Sequence, residues 1–186
     1  MVLLAGCAQD EPVVELTGRV VDPPLRISAT PLTDTDGSEF SLADTDARLT
    51  LLFFGYTKCP DICPVVMSNV TSGLQRLDDA DRDQVDVVFV TTDPARDDAQ
   101  TLRTWLDRLD PSFVGLTGDL DDIVAIAKSV AIYVDAEELA SGGLDLGAHG
   151  AQVMGIDGGG EVPVFWPPDT TAAQFAADIE VLLGEI

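Results

Sequence analysis

Residues 49–66 read LTLLFFGYTKCPDICPVV, and this stretch decides how the chain folds. Its first half, LTLLFFG, is an unbroken apolar run, which is typical of a strand buried on both faces of a sheet. Its second half places Cys59 and Cys63 four residues apart, each followed directly by a proline. Because Pro64 suits the first position of a helix, we expect a helix to begin near residue 64. The two cysteines are therefore predicted to lie in a turn that leads from a buried strand into a helix.

The position of the cysteines predicts unusual thiol chemistry. The N-terminus of a helix carries partial positive charge and free N–H groups, and both stabilise a thiolate. Lys58, directly before Cys59, adds a positive charge to the same turn. We therefore expect two acidic, accessible thiols. They can serve as a structural disulfide, as a redox pair or as metal ligands, and their spacing alone does not decide among these uses.

The rest of the chain alternates between strand and helix patterns. Residues 85–92, VDVVFVTT, form a second buried apolar run, and a DTDG turn predicts a hairpin between LRISATPL and EFSL. Residues 152–156 and 162–166 are predicted strands joined by a DGGGE hairpin. Helical spacing of apolar residues predicts helices over 66–77, 102–109, 123–130 and 175–183, the last preceded by a capping box of Thr171 and Gln174.

This order of elements predicts an α/β fold. Alternating buried strands and helices imply a mixed sheet with parallel central strands and helices on its faces, and the closing unit of a hairpin and a helix adds an antiparallel edge. The early β-hairpin is an N-terminal extension of this core. We assign residues 1–24 to a polar tether with one early strand, and residues 25–186 to a single domain.

The composition excludes several classes of protein. The chain has 186 residues, of which 46% are hydrophobic, enough for one domain with a full core. No stretch reaches the roughly 18 apolar residues that span a bilayer. The net charge is −23 and no basic run exists, which argues against nucleic-acid binding. The acidity fits a solvated surface, a salty habitat, or attraction to a basic partner or to cations.

The chain contains one histidine, His149, in the segment LGAHGAQVMGI. The cysteine turn resembles that of the thioredoxin fold, although thioredoxins place two residues rather than three between their cysteines. In thioredoxin-like folds, the loop that enters the penultimate strand lies against this turn. The resemblance therefore implies a thioredoxin-like fold, in which His149 faces Cys59 and Cys63. Two thiolates and one imidazole form a set of ligands that suits copper or zinc.

Four segments together resemble the Sco/SenC family of copper chaperones, which act in the assembly of cytochrome c oxidase. The resemblance covers about residues 28–184, and the matching segments are YTKCPDICP, VTTDPARDD, DTDGSEFSL and HGAQVMGID. Ala148 and Gly150 stand where many members carry an aspartate and a hydroxyl residue. This departure concerns the support of the histidine rather than the ligand itself.

The resemblance implies that Cys59, Cys63 and His149 bind copper, as Cu(I), Cu(II) or both. It also implies that the protein delivers this copper to the CuA-bearing subunit of cytochrome c oxidase. The cysteines must be reduced to accept the metal, so a copper donor or a thiol-reducing protein is an expected partner.

An enzymatic role is the alternative. A thiol–disulfide oxidoreductase would reduce the copper-site cysteines of the oxidase subunit, with Cys59 attacking and Cys63 resolving through a Cys59–Cys63 disulfide. Peroxidase activity or a purely stapling disulfide would also use these thiols. His149 distinguishes the copper-binding function from thiol exchange, because copper binding needs it and simple dithiol exchange does not.

Charged residues near the cysteines are assigned supporting roles. Asp61 is expected to shape the turn by accepting hydrogen bonds from backbone N–H groups, or else to attract the cation. Asp93 and Arg96, in the segment DPARD, are expected to cap and pin the next helix, with contact to the metal as the alternative.

The first residues resemble the lipobox of bacterial lipoproteins. Residues 4–7 read LAGC, and the polar segment AQDEP follows at once. A signal peptidase cuts such a sequence before the cysteine, which then carries lipid. We therefore expect a mature chain that begins at Cys7, is anchored to the outer face of the bacterial cell membrane, and works outside the cytoplasm, where disulfides are permitted. A chance occurrence of LAGC is the alternative.

Overall fold

A computed structural model describes residues 16–134 and 150–185 of the chain. Two of the predicted functional residues, Cys7 and His149, lie outside the described residues. The strands are β1 (Arg19–Arg26), β2 (Leu32–Asp34), β3 (Glu39–Phe40), β4 (Leu49–Gly55), β5 (Val85–Thr91), β6 (Val114–Thr117), β7 (Val153–Asp157) and β8 (Glu161–Trp166). The helices are α1 (Ile62–Leu74), α2 (Asp79–Arg82), α3 (Ala99–Leu106), α4 (Leu120–Ser129) and α5 (Ala172–Glu185).

The eight strands form one mixed sheet in the order β1-β8-β7-β4-β5-β6-β2-β3. Strands β4, β5 and β6 are parallel, whereas β7 runs antiparallel to β4. The predicted parallel centre is confirmed, and so is the hairpin of β2 and β3. The prediction that the closing hairpin forms the sheet edge is wrong, because β1 pairs with β8 and lies outside it. Strand β1 begins at Arg19, so regular structure starts before residue 25.

Strand β4 carries the core on both of its faces, as its apolar run predicted. Leu51 and Phe53 belong to a cluster that also contains buried residues of α1, α3 and α5. Leu52 and Phe54 alternate with them and belong to a second cluster, which packs under α4. All seven residues of β4 are buried, so the strand is fixed from both sides and its end is a rigid starting point for the next turn.

One edge of the sheet collects the ends of four neighbouring strands. Phe53, near the end of β4, pairs with Val153 at the start of β7. Val153 pairs in turn with Trp166 at the end of β8, and Arg19 at the start of β1 pairs with Phe165. We call this the cysteine edge, because the residues after β4 include both cysteines. Within residues 16–134 and 150–185, no helix has the length and apolar character needed to cross a membrane.

Candidate metal centre

The cysteine turn, residues 56–63, joins β4 to α1. The N–H of Cys59 donates to the carbonyl of Tyr56 at 3.2 Å, which closes the turn. Helix α1 begins at Ile62, so Cys63 lies in its first turn. The predicted start near residue 64 is therefore two residues late. The reason is that the first N–H groups of a helix have no partner within it, so Pro64 is tolerated anywhere in the first turn.

The two cysteines are free thiols that contact each other. The backbone N–H of Cys63 donates to the sulfur of Cys59 over 3.4 Å. Burial raises the pKa of Cys59, but the N–H groups of Asp61, Cys63 and Ile62 outweigh it and leave the pKa below its ordinary value. The predicted stabilisation of a thiolate by the helix N-terminus is thus supported for Cys59.

Cys63 behaves in the opposite way. Burial raises its pKa, and the hydrogen bond that its thiol donates to Cys59 raises it further. The exposed fraction is 7% for Cys59 and 0% for Cys63. The prediction of two acidic, accessible thiols is therefore wrong in two respects: both are buried, and only Cys59 is acidified. The physical reason is that Cys63 sits on the inward face of α1, where its protonated form serves as a donor to Cys59.

Gly55, the last residue of β4, makes room for the sulfur of Cys63. A Cβ atom at position 55 would lie 3.0 Å from this sulfur and 2.9 Å from the ring of Phe53. Such distances are shorter than normal carbon contacts, so only glycine lets the helix sit this close to the end of the strand. The role of Gly55 was not predicted, although a glycine that directly ends a buried apolar run is a signal of close approach.

Tyr56 is a second site residue that the sequence analysis missed. Burial raises the pKa of Tyr56 to about 12, and the negative charge and hydrogen bonding of Cys59 act in the same direction. The charge of Arg96 partly opposes this rise. The phenol is therefore a neutral hydrogen-bond donor beside the more acidic thiol, and Arg96 is the positive group that acts on it.

Asp97 holds the beginning of the cysteine turn from a distance. Its carboxylate, 0% exposed, accepts the backbone N–H of Thr57 at 2.8 Å and also the Thr57 hydroxyl. It accepts a further hydrogen bond from the Thr91 hydroxyl at 2.9 Å. A single carboxylate thus links the residue after Tyr56 to the end of β5. The signal in the sequence was only the polar segment DPARDD directly after a buried strand.

The segment after β5 corrects one predicted role. Helix α3 is capped by Asp98, whose side chain accepts the N–H of Thr101 at 2.8 Å. Asp93 does not cap this helix; it is buried and forms an ion pair with the Nε group of Arg96. These two residues instead close a turn, because the Arg96 and Asp97 N–H groups both donate to the Asp93 carbonyl.

The other predicted supporting residues, Lys58 and Asp61, are exposed on the cysteine turn. Asp61 occupies the N-cap position of α1, but its side chain makes no capping hydrogen bond. The prediction that Asp61 shapes the turn through its carboxylate is therefore not supported at the cap. Its alternative role, attraction of a cation, stays a prediction.

His149, the predicted third ligand, lies outside the described residues, which resume at Gly150. The N–H of Gly150 donates to the carbonyl of Tyr133 at 2.9 Å, and Ala151 packs against the cluster that contains both cysteines. Within the parts of the chain that the structure describes, no group of three cysteine, histidine, aspartate or glutamate residues could hold a metal ion. His149 directly precedes Gly150 in the sequence.

Comparison with known proteins gives clear relatives. A family model described as SCO1/SenC matches residues 27–184. The mitochondrial protein SCO2 of Saccharomyces cerevisiae is 34% identical over 102 residues, which are 55% of this chain and 34% of that protein. A protein of Stutzerimonas stutzeri named as copper-binding is 37% identical over 108 residues, 58% of this chain and 53% of that protein. The chain thus spans a third to a half of the length of these relatives.

A solved structure supports the same relationship. ScoI of Bradyrhizobium japonicum with copper bound aligns with a TM-score of 0.65 and 28% sequence identity, and the alignment covers 86% of this chain and 97% of that one. The predicted thioredoxin-like fold is confirmed.

Proposed function

Because the chain belongs to the SCO1/SenC family, we propose that it is a copper chaperone that works outside the cytoplasm. It binds copper through Cys59, Cys63 and His149 and delivers the metal to the CuA-bearing subunit of cytochrome c oxidase. Copper is the cargo of this process. Family membership, the copper-binding relative and the copper-bound solved structure support the choice of metal.

The observation that carries the proposal is the reduced pair of thiols at the end of β4. Both cysteines are free, and the sulfur of Cys59 already accepts an N–H group of the helix that holds Cys63. Soft thiolates favour Cu(I), and an added imidazole suits Cu(II) as well. The acidified Cys59 thiol is the first ligand to offer a thiolate, and Cys63 loses its proton as the metal binds.

The register of the sheet supports His149 as the third ligand. Strand β7 pairs with β4 up to Val153 and Phe53. Because the two strands are antiparallel, the residues before Val153 continue past the end of β4, towards Gly55 and the cysteine turn. His149 directly precedes Gly150 in the sequence, and we therefore place it at this end of the sheet. Delivery then proceeds by ligand exchange, in which thiolates of the acceptor replace those of Cys59 and Cys63 without any change in the oxidation state of the metal.

A second candidate function is thiol–disulfide exchange, which the unequal thiols favour. The Cys59 thiolate attacks a disulfide of the target and forms a mixed disulfide, and the released target sulfur takes up a proton. Cys63 then loses its proton and attacks the sulfur of Cys59, which yields a Cys59–Cys63 disulfide and a target reduced by two electrons. A lowered pKa on Cys59 and a neighbouring thiol on Cys63 are the features that this reaction requires.

Anaerobic titration of the reduced protein with Cu(I) and then with Cu(II) tests the first function. We expect one copper ion per chain and a thiolate-to-Cu(II) charge-transfer band that is lost in both Cys59→Ala and His149→Ala. Cys7→Ala and Gln152→Ala are the matched controls, and both should keep the band. If His149→Ala binds Cu(II) with the same band as the wild type, the histidine is not a ligand and the proposed copper site is wrong.

The same variants separate the two functions. Thiol exchange requires the cysteines alone, so His149→Ala should retain full reduction of a small disulfide substrate if the protein is an oxidoreductase. We expect instead slow exchange in the wild type and in His149→Ala alike. Rapid turnover in His149→Ala, together with loss of turnover in Cys59→Ala, would favour the enzymatic role.

We further propose that the mature protein begins at Cys7 and is anchored to the outer face of the cell membrane by a lipid on this residue. The LAGC sequence and the polar segment behind it support this assignment. Mass spectrometry of the protein from a native membrane fraction should detect acylated Cys7 and none of residues 1–6. An unmodified Cys7 with residues 1–6 still attached would contradict the proposed lipid anchor.

A further inference from the structure

Asp178 fixes the point at which the N-terminal segment joins the domain. The carboxylate lies on α5, is 3% exposed, and accepts the backbone N–H groups of Thr17 at 3.0 Å and of Gly18 at 2.7 Å. It also accepts the indole N–H of Trp166 at 2.7 Å. Three donors from two strand ends thus converge on one buried carboxylate. We call this arrangement the Asp178 clamp.

Gly18 allows the chain to approach so closely. A Cβ atom at this position would lie 2.7 Å from the indole nitrogen of Trp166 and 2.7 Å from the side chain of Val164. Leu16, one residue beyond the clamp, packs against the cluster that contains both cysteines. The chain therefore enters the domain along a path that packing, hydrogen bonds and a glycine all specify.

This entry point lies on the cysteine edge. Strands β8 and β7 lie between β1 and β4, so the start of β1 is three inter-strand distances, about 14 Å, from the end of β4. The residues of β1 leave the cysteine edge as the chain proceeds, so Leu16, the first residue that the structure describes, lies at the same edge as the cysteine turn.

The length of the tether limits how far the domain can turn relative to the bilayer. The nine peptide steps from Cys7 to Leu16 reach at most about 32 Å when fully extended. The seven residues of β4 alone separate the two edges of the sheet by about 23 Å. If the opposite edge faced the bilayer, the tether would have to run along the whole depth of the domain. This path would use most of the tether's extended length.

We propose that the Asp178 clamp makes the cysteine edge the surface that faces the membrane. The inference rests on the lipid anchor at Cys7 proposed above, and it goes beyond that anchor by giving the direction in which the metal site points. The partner that fits this surface is a membrane protein whose acceptor thiolates lie within the reach of the tether from the bilayer surface. A partner whose acceptor lies much farther out would require the domain to leave the orientation that the clamp imposes.

Energy transfer from the protein to the bilayer tests the orientation. The full chain with Cys59→Ser and Cys63→Ser retains Cys7 as its single thiol, which is coupled to a maleimide lipid in phosphatidylcholine vesicles. This coupling makes the test independent of natural acylation. A donor dye is attached to a p-acetylphenylalanine residue that replaces one of two exposed residues. One is Val65, which is 50% exposed near the start of α1, and the other is Asp46, near the start of β4. The acceptor dye is carried by lipid headgroups.

We expect at least about twice the transfer efficiency from position 65 as from position 46, because the two edges differ by the depth of the sheet. Equal transfer, or more transfer from position 46, would overturn the proposal while leaving acylation of Cys7 untouched. Conversely, an unmodified Cys7 in the native protein would remove the biological anchor without changing this result.

Two further variants address the clamp and the tether. Asp178→Ala removes the acceptor of the Thr17 and Gly18 N–H groups. We expect the difference in transfer efficiency between the two dye positions to become smaller. An unchanged difference in a variant with the wild-type circular dichroism spectrum would overturn the role of Asp178. Insertion of a flexible Gly-Ser segment of about 12 residues after residue 12 leaves the domain intact and should also narrow the difference. Persistence of the full difference with this longer tether would contradict the argument from reach.

Discussion

The cysteine turn and the hairpin turn of residues 157–161 lie at opposite edges of the sheet, and the carboxylate that supports each turn comes from a different place. In the hairpin, the carboxylate of Asp157 accepts the N–H groups of Gly159 and Glu161, both at 2.9 Å, so the turn supplies its own side-chain acceptor. Strand β1 adds contacts from the exposed Arg26 side chain to Gly159 and Glu161 and from the next N–H group to the Gly160 carbonyl. In the cysteine turn, Thr57 is held by Asp97, which is 40 residues away in the chain. The hairpin thus takes its carboxylate acceptor from within the turn, whereas the cysteine turn takes its carboxylate acceptor from a distant, buried residue.

The two turns also differ in their access to water. Gly158 and Gly159 are exposed, so hydrogen-bonding groups of the hairpin can exchange a lost partner for solvent. Asp97 and Thr91 are both 0% exposed, so the Thr91 hydroxyl has no such replacement, and the half-buried Thr57 has only limited access to one. Buried donors that lose their acceptor retain the cost of desolvation. The cysteine turn should therefore be far more sensitive to single substitutions than the hairpin.

The largest effect is expected for Asp97→Ala. This change removes the acceptor of the Thr57 N–H and of the hydroxyls of Thr57 and Thr91. The buried Thr91 hydroxyl left without a partner costs about 1–3 kcal/mol, and the two half-buried donors of Thr57 add to this cost, so we expect the free energy of unfolding to fall by about 3 kcal/mol. Urea unfolding monitored by tryptophan fluorescence measures the loss.

The matched control is Asp157→Ala at the hairpin, for which we expect a loss below about 1 kcal/mol because water replaces the carboxylate. Asp97→Asn keeps one acceptor oxygen and should fall between the two. Equal losses for Asp97→Ala and Asp157→Ala would show that the long-range contact is no stronger than the local one, and the comparison would fail.

The second effect concerns the glycines of the two turns. In Gly55→Ala, the new Cβ atom lies 3.0 Å from the sulfur of Cys63 and 2.9 Å from Phe53, and both neighbours are buried. Overpacking of this kind costs about 1–3 kcal/mol. We also expect a weaker copper charge-transfer band, because the sulfur must move. Thermal unfolding and the copper titration provide the measurements.

Gly158→Ala is the control on the hairpin. Its Cβ atom would have the carbonyl oxygen of Ala47 as its neighbour at 3.5 Å, an ordinary contact. We expect a change in unfolding free energy within about 0.5 kcal/mol and no effect on copper binding. A Gly55→Ala protein as stable as Gly158→Ala would mean that α1 can shift without cost.

The contrast between local and distant support also explains what the sequence could predict. Strands β4 and β5 were found almost to the residue, because an unbroken apolar run is a local signal. The short strand β6, VGLT, was missed, since four residues carry no pattern and only its neighbours β5 and β2 make it a strand. Helix α1 was placed two residues late because proline marks the first turn rather than the first residue.

The site was predictable to the same extent. The cysteines and their position at a strand-to-helix turn followed from adjacent residues. Asp97, Gly55 and Tyr56 did not, because their roles depend on which parts of the chain the fold brings together. The inequality of the thiols was missed for the same reason: burial of Cys63 on the inner face of α1 is a tertiary effect that outweighs the helix N-terminus.

A third prediction concerns a helix end that is held locally. Thr171 and Gln174 form the predicted capping box of α5: the Thr171 N–H donates to the side-chain oxygen of Gln174 at 2.9 Å, and the Gln174 N–H donates to the hydroxyl of Thr171 at 3.4 Å. Thr171→Ala should cost about 1 kcal/mol in urea unfolding, less than loss of Asp97. Thr171→Ser keeps the hydroxyl and should restore most of the stability. A loss as large as that of Asp97→Ala would contradict the rule that exposed local caps contribute little.

The smallest effect on stability is expected from the thiols themselves, because their pKa shifts have opposite signs. A lowered pKa of Cys59 favours the folded state above the pKa of the unfolded thiol, and this contribution is lost as the pH falls through the folded value. The raised pKa of Cys63 destabilises the folded state as the pH rises through the pKa that this thiol has in the unfolded chain. Because the two contributions partly cancel at alkaline pH, the free energy of unfolding reports them poorly, and reactivity is the better measurement.

Alkylation with iodoacetamide, followed residue by residue by peptide mass spectrometry, separates the two thiols. The rate at Cys59 should reach its plateau at a lower pH than that of a free thiol, and Cys63 should react only at higher pH. Cys63→Ser keeps a hydroxyl donor and should preserve the low midpoint of Cys59, whereas Cys63→Ala removes the donor and should raise it. Equal midpoints for Cys59 and Cys63 in the wild type would mean that burial and the helix N-terminus act alike on both sulfurs, and the turn would then hold two equivalent thiols instead of a thiolate and its donor.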